Sequence, residues 1–370
     1  MTTPHLFTPL TIGPVTAPNR IAVAPMCQYT ADDGSMTDWH LQHLMSLGMS
    51  GAGLVMVEAT GVERRGRITH GCVGLYSDAN ERAMARVLAA TRAVALPGTL
   101  FGIQLGHAGR KASSQRPWEG GGALLAEQDP WPTVSASAKA FGQNWHTPEA
   151  LDELGIERSV AAFVQAAKRS VRLGYEVIEL HMTHGYLVHQ FLSPLSNTRT
   201  DQWGGSAEKR MAFALHLMDA VKAAIPSHVA LGVRIAGSDW IEGGVTIADA
   251  VALTQALKAK GAAYACVSSG GLDPAARIKV GPGYQVDFAA AIKQQTGIVT
   301  RAVGMIVSPE QAEQILAKGQ ADQIAMARAF IDNPRWGWHA ADALGVDLHR
   351  PPQYDRARKA FWPGEALKHH

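Results

Sequence analysis

The sequence predicts a single (β/α)8 barrel, a TIM barrel, on three observations. Short apolar, β-branched runs alternate with stretches of helical period along most of the chain. Gly or Pro stands in the connections between them. The alternation recurs about eight times in 370 residues, which suits a closed barrel better than an open doubly wound sheet.

Residues 10–18 come first and break the alternation; they read as a hairpin plugging the barrel bottom. Strands are expected near residues 20–24, 54–57, 100–104, 177–180, 229–235, 263–267, 298–303 and 323–326. Helices are expected among them at residues 81–95, 157–173, 206–224, 247–260 and 309–317. Ser308-Pro309-Glu310 puts an N-cap residue before Pro at the first helical position. Gly174, Gly261 and Gly319 follow helices, where a left-handed residue closes the last turn. Residues 107–153 are rich in Gly, Pro and Trp and too long for an idle connection, so they read as a capping subdomain after strand three. Nothing marks a linker. Residues 1–370 therefore read as one domain, with 350–370 as a C-terminal tail.

Composition narrows the function classes. The chain is 46% hydrophobic and 18% charged, ordinary for a globular protein able to bury a large core. Thirty-four basic against thirty-two acidic residues give a net charge of +2, too small and scattered to imply nucleic acid or an anionic membrane as partner. No apolar run reaches the ~18 residues of a membrane span. Met1-Thr2-Thr3-Pro4-His5 lacks the basic start and apolar stretch of a signal peptide. Cys27, Cys72 and Cys266 are odd in number and far apart, so they form neither a disulfide framework nor a clustered metal site. A reducing cytoplasm is the expected compartment. The terminal His369-His370 carries no functional reading.

In such a barrel the chemistry gathers at the C-terminal ends of the strands. Those ends carry Pro25-Met26-Cys27 and Tyr29 after strand one, Glu58-Ala59-Thr60 after strand two, and Gln104 at the close of strand three. His181, His184 and Tyr186 follow strand four, and Arg234 ends strand five. Ser268-Ser269-Gly270-Gly271 follows strand six, Gly304 strand seven and Ala327-Arg328 strand eight. Polar, aromatic or Gly-rich residues at every end point to a large ligand touching many strands. The ends of strands seven and eight commonly build a phosphate site from a Gly turn at a helix N-terminus. Gly304-Met305 before Ser308, with Arg328 as a charged clamp, supplies that chemistry. The plainer reading is a tight-turn glycine and an arginine on a solvated rim.

An ordered set of motifs runs from about residue 6 to residue 357. It comprises Asn19-Arg20-Ile21, Ala24-Pro25-Met26-Cys27-Gln28-Tyr29, Val57-Glu58-Ala59-Thr60 and Gln104-Leu105-Gly106-His107-Ala108-Gly109-Arg110. His181-Met182-Thr183-His184-Gly185-Tyr186, Phe191-Leu192-Ser193-Pro194-Leu195-Ser196-Asn197, Arg199-Thr200-Asp201 and Gly204-Gly205-Ser206 follow. Gly283-Tyr284-Gln285-Val286, Ala302-Val303-Gly304-Met305 and Gln353-Tyr354-Asp355-Arg356 complete it. Together they resemble the old yellow enzyme family, and within it the shorter, thermophilic-like class of NADPH dehydrogenases and ene-reductases of xenobiotic reductase A type.

The resemblance implies FMN, with its phosphate over strands seven and eight (Gly304, Ala327, Arg328) and its isoalloxazine over the barrel mouth. NADPH or NADH is the implied reductant. Ala24, Pro25, Met26, Cys27 and Ala59 are expected to contact the ring, chiefly through backbone. Gln104 matches the residue that hydrogen-bonds the pyrimidine edge, where an amide both donates and accepts. Arg234 is expected near the N1–C2 carbonyl region, a cation that stabilises the charge of reduced flavin. Its other reading is the partner of a buried carboxylate. His181 and His184 are implied as donors to a substrate carbonyl oxygen, each aimed donor lowering the barrier by ~3 kcal/mol.

Tyr186 resembles the family's proton donor to the α-carbon, a phenol with an ordinary pKa of about 10. Tyr29 is implied as a substrate contact. Cys27 stands where longer members carry Thr, and is implied to modulate the flavin and touch ligand; by itself it reads as a small buried hydrophobe. Met305 stands where some members carry Trp, which implies a wider pocket. The tail motif resembles one whose arginine, Arg356 or its neighbour Arg358, reaches the adjoining subunit's site, implying a homodimer or tetramer; a free surface arginine is the plain alternative. The implied activity is reduction of small activated alkenes: α,β-unsaturated carbonyls, nitroolefins and maleimides.

Rival chemistries fit less well. Zinc requires a third ligand cluster that His181 and His184 lack, though both also read as satisfied structural histidines. A dienoyl-CoA reductase type of enzyme needs clustered cysteines and a further nucleotide-binding domain. A Schiff-base aldolase or isomerase needs a Lys at a strand end. A non-catalytic ligand-binding barrel has little use for His181, His184 and Tyr186 together.

Overall fold

Apolar runs become parallel strands when both of their faces can be buried. In the computed structural model, which describes residues 3–358 and 360–367, these runs are β1 (Ile21–Val23), β2 (Leu54–Gly61), β3 (Leu100–Gly106), β4 (Val177–Met182), β5 (Ala230–Ala236), β6 (Tyr264–Ser268), β7 (Val299–Ala302) and β8 (Gln323–Met326). All pair in parallel and in chain order. The barrel closes where Ile324 of β8 lies opposite Ile21 of β1. Met1, Thr2 and the terminal His369-His370 lie outside the described residues.

The helices α1 (Asp38–Gly48), α2 (Asp78–Val94), α3 (Glu153–Arg172), α4 (Ala207–Ala224), α5 (Ile247–Ala259), α6 (Val286–Thr296), α7 (Pro309–Ala317) and α8 (Trp336–Ala343) each follow the strand of the same number. α7 starts as the sequence predicts, with Ser308 Oγ accepting from Gln311 N at 3.1 Å and Pro309 at the first position. Two starts are earlier than predicted. Ser77 caps α2 at Asp78 and Asp152 caps α3 at Glu153, so the cap rather than the apolar period sets the boundary. Gly174, Gly261 and Gly319 close helices at φ of +81°, +90° and +68°.

The N-terminal hairpin pairs Leu10–Ile12 with Val15–Ala17 in antiparallel register. Leu10 and Ile12 are buried against Leu54, Val177 and Ala230, near the starts of β2, β4 and β5, so the hairpin seals the barrel bottom. After β3, residues 107–153 form short turns and one strand pair, Val134–Ser135 with Glu149–Ala150. Arg110 is buried and ties this segment to the rest, donating to the carbonyls of Leu272 (2.9 Å) and Ala140 (3.2 Å). Inside the barrel, Glu179 of β4 accepts from Gln104 (2.7 Å), Tyr264 (3.0 Å) and Arg301 (3.1 Å). Among the described residues, no helix is long and apolar enough to cross a membrane.

Candidate active site

Beyond β1 the chain leaves its last sheet contact, Ala24 N to Met326 O at 2.9 Å, and runs over the barrel mouth. Its path is fixed by a β-bulge in β2, where the β2–β3 register skips Glu58. The Glu58 carboxylate accepts from Gln28 N at 3.1 Å and lies 3.5 Å from His40 Nε2. Tyr29 takes a left-handed φ of 54°, and its carbonyl accepts from Arg116 Nε at 2.9 Å. Burial first, and the Glu58 charge second, push the Cys27 thiol well above its ordinary value. It is a neutral thiol.

The β4 turn brings three rings together. His181 lies edge-on to His184 at 5.1 Å and to Tyr186 at 4.9 Å, between ring centroids. Thr183 N approaches His181 Nδ1 at 3.4 Å, which leaves the proton on Nε2 as a donor. His184 Nε2 meets Ser268 Oγ at 2.8 Å; with the hydroxyl donating, the proton sits on Nδ1. Burial, then Arg234, hold both imidazoles well below the ordinary histidine value, so both are neutral donors. Burial, then Cys27, raise the Tyr186 phenol above its ordinary value, and it keeps its proton.

Ala24, His184, Arg234, Gly304, Ala327 and Arg328 border one cavity of about 530 Å³. Arg234 Nε is buried there without a hydrogen-bond partner. Among the described residues Arg234 makes no ion pair with a carboxylate, and the buried Glu179 is held by Arg301 instead. Gly304 has φ +109°, and a Cβ there would lie 2.6 Å from Gln285 Nε2, so the turn is shaped as a bare backbone cradle. A half-buried arginine whose Nε has no hydrogen-bond partner, a second arginine and that cradle fit a flavin mononucleotide, whose ring and phosphate are both electron-rich.

Ala59, His181 and Tyr186 border a smaller neighbouring cavity with Cys72, His107 and Arg67. Met26 faces a third one behind β1 with His40 and Glu58. Pro25 and Cys27 are half-buried on the connecting loop. Gln104 points its amide nitrogen into the barrel at Glu179. Met305, at φ 48°, sits exposed on the rim of the large cavity. In the tail, Arg358 pairs with Asp347 and Asp355, both at 2.9 Å, whereas Arg356 is exposed and has no ion pair among the described residues. Among the described residues no cluster of His, Cys, Asp or Glu could hold a metal ion.

Sequence reasoning missed Lys111. Its Nζ donates to the carbonyls of His184 and Gly271, both at 2.8 Å, and burial, then Arg110, bring it down to about 7. Gln285, within the Gly283-Tyr284-Gln285-Val286 motif, lies beneath the same loop, and its Oε1 accepts from the Ser269 hydroxyl at 2.5 Å.

The family described as NADH:flavin oxidoreductase / NADH oxidase matches residues 5–345. An NADH:flavin oxidoreductase of Gibberella zeae is 41% identical over 95% of this chain and 88% of its own. An NADPH dehydrogenase of Geobacillus thermodenitrificans is 40% identical over 95% of this chain and 98% of its own. Morphinone reductase, solved in complex with tetrahydroNAD, superposes with a TM-score of 0.74 at 28% identity, covering 95% of this chain and 94% of that one. The family match spans the N-terminal hairpin and all eight barrel strands; the tail motif at 353–356 lies beyond it. The chain is a member of the NADH:flavin oxidoreductase / NADH oxidase family, an FMN-dependent oxidoreductase that draws on a reduced nicotinamide.

Proposed function

We propose that this enzyme reduces the C=C bond of small activated alkenes: enones and enoates, nitroolefins and maleimides. The observation that carries the reading is the convergence of His181, His184 and Tyr186 beside the cavity that Arg234 borders. FMN held in this cavity would supply the hydride chemistry that links a reduced nicotinamide to the alkene's β-carbon.

His181 Nε2–H and His184 Nδ1–H donate to the substrate carbonyl oxygen and stabilise the enolate charge that builds there. Tyr186 gives its phenolic proton to the α-carbon. Tyr29 and Cys27 contact substrate, and the neutral Cys27 thiol also modulates the flavin. Arg234 would supply a cation to the flavin ring, Gln104, anchored on Glu179, would hydrogen-bond it, and Ala24, Pro25, Met26 and Ala59 would seat it. Gly304, Ala327 and Arg328 hold the phosphate. Residues 107–153 act as a cap over the mouth. Exposed Arg356, with Arg358 already engaged, supports a site shared across a homodimer or tetramer. Three free cysteines support a cytoplasmic setting.

The test is anaerobic. The purified protein should be yellow, bleach with NADPH and recover its colour on addition of 2-cyclohexenone; Arg328→Ala should retain much less flavin. A bleached protein reoxidised by oxygen but by no enone, nitroolefin or maleimide would overturn the alkene reading.

A further inference from the structure

The turn that carries the candidate donors is strained. His184 has φ 59° and Gly185 has φ +75°. A non-glycine residue in this region costs of order 1–3 kcal/mol and persists only where its surroundings over-determine it. The surroundings here are backbone against backbone. A Cβ on Gly185 would lie 2.2 Å from the Gly271 carbonyl oxygen, and one on Gly271 would lie 2.9 Å from His184 Cα.

Three side chains, His189 and Gln190 buried and Lys111 half-buried, hold the turn by its peptide groups. Gln190 Nε2 donates to the Gly185 carbonyl at 2.6 Å, and His189 Nδ1 accepts from Gly185 N at 2.9 Å. Both come from the short helix that follows the turn, Leu187–Leu192. The third comes from a different element, the turn Gly109–Lys111 after β3. Lys111 Nζ lies 2.8 Å from the His184 carbonyl and 2.8 Å from the Gly271 carbonyl, tying the β4 turn to the β6 loop. The same ammonium stands over the Tyr186 ring at 5.1 Å and the Phe141 ring at 4.6 Å, which fills its remaining side. A cation bridging two carbonyls that crowd each other also relieves their repulsion.

We propose that Lys111 is a positioning residue: its ammonium locks the strained His184–Tyr186 turn against the β6 loop, and so aims His184 and Tyr186 at substrate. The aiming rests on the alkene reading, but the locking does not. Lys111 does not itself border the large cavity and makes no contact with Gly304, Ala327 or Arg328, so the phosphate end does not depend on it.

The experiment uses the full-length, FMN-loaded protein at pH 6, where Lys111 carries its charge, and Lys111→Met, which keeps the length and loses the donors. Amide hydrogen exchange at Gly185 and Tyr186 is read without any ligand, and should speed up ~10-fold or more in the variant while α4 and the barrel strands stay as in the wild type. Affinity for a phenol, 4-hydroxybenzaldehyde, should weaken ~10-fold, the loss expected for a charged hydrogen bond. Flavin content should hold, and Lys111→Arg should recover most of both effects. Wild-type exchange in Lys111→Met overturns the proposal. A wild-type protein that binds no phenol overturns the alkene reading instead, and leaves the exchange result to decide the clamp. Should Lys111→Met not fold, Lys111→Gln carries the same test, since its shorter amide cannot bridge both carbonyls; wild-type exchange in it is equally fatal.

Discussion

On the proposed alkene reduction, Tyr186 divides the two halves of the catalytic cycle. Its ring stands 4.9 Å from His181, and burial holds its phenol above the ordinary value, so it keeps its proton until a strongly basic carbon takes it. Reduction of the flavin by NADPH asks nothing of that proton. Tyr186→Phe should therefore leave the first half-reaction within ~2-fold and slow reoxidation by 2-cyclohexenone by about 10²–10⁴, the range for a positioned acid. Nitroolefins should suffer least, because the nitronate can leave before it is protonated. Stopped-flow traces with slow NADPH reduction and normal reoxidation would remove Tyr186 from the mechanism.

At the scale of the element, the N-terminal hairpin earns its place by burial rather than by sheet contacts. Ile12 is fully buried among side chains near the barrel base, and a Cβ at Gly13 already touches that of Ala263 at 3.0 Å. Ile12→Ala should lower unfolding free energy by ~2–5 kcal/mol, the range for a buried large-to-small change, with unchanged FMN affinity per folded molecule. Denaturant titration checks it, and a loss under ~1 kcal/mol would show that the hairpin is dispensable to the core. The barrel strands were legible in the sequence as short apolar, β-branched runs bounded by Gly and Pro, and the hairpin as the segment ahead of them that broke the alternation. Helix starts were less so: Ser77 and Asp152 cap α2 and α3 ahead of the first apolar repeat. The strand-end residues were readable one at a time, from position and motif. Lys111 was not, since the groups it holds are backbone carbonyls of His184 and Gly271, and a carbonyl leaves no mark in a sequence.

Glu179 and Arg301 were hidden differently: each sits inside a strand whose neighbours read as plain core. They join a polar layer drawn from β3, β4, β6, β7 and β8, with Gln104, Tyr264 and Gln323, beneath the proposed flavin site. Their ion pair spans 3.1 Å at essentially no exposure, with the Arg301 guanidinium 4.3 Å from the centre of the Tyr264 ring. Such a pair is weak evidence of net stabilisation, because desolvating both charges offsets most of their attraction. Breaking it is another matter, as one charge then stays buried and unpaired. Glu179→Gln and Arg301→Met should each cost ~3–5 kcal/mol. The double variant strands neither charge, so it should cost less than the sum of the singles, by a coupling of ~0.5–3 kcal/mol. Bound flavin raises apparent stability by mass action, so all four proteins must be unfolded at one fixed FMN concentration or fully stripped. Strictly additive losses in that cycle would mean that water or a rearranged core already neutralises each charge alone, and that the barrel does not depend on the pairing.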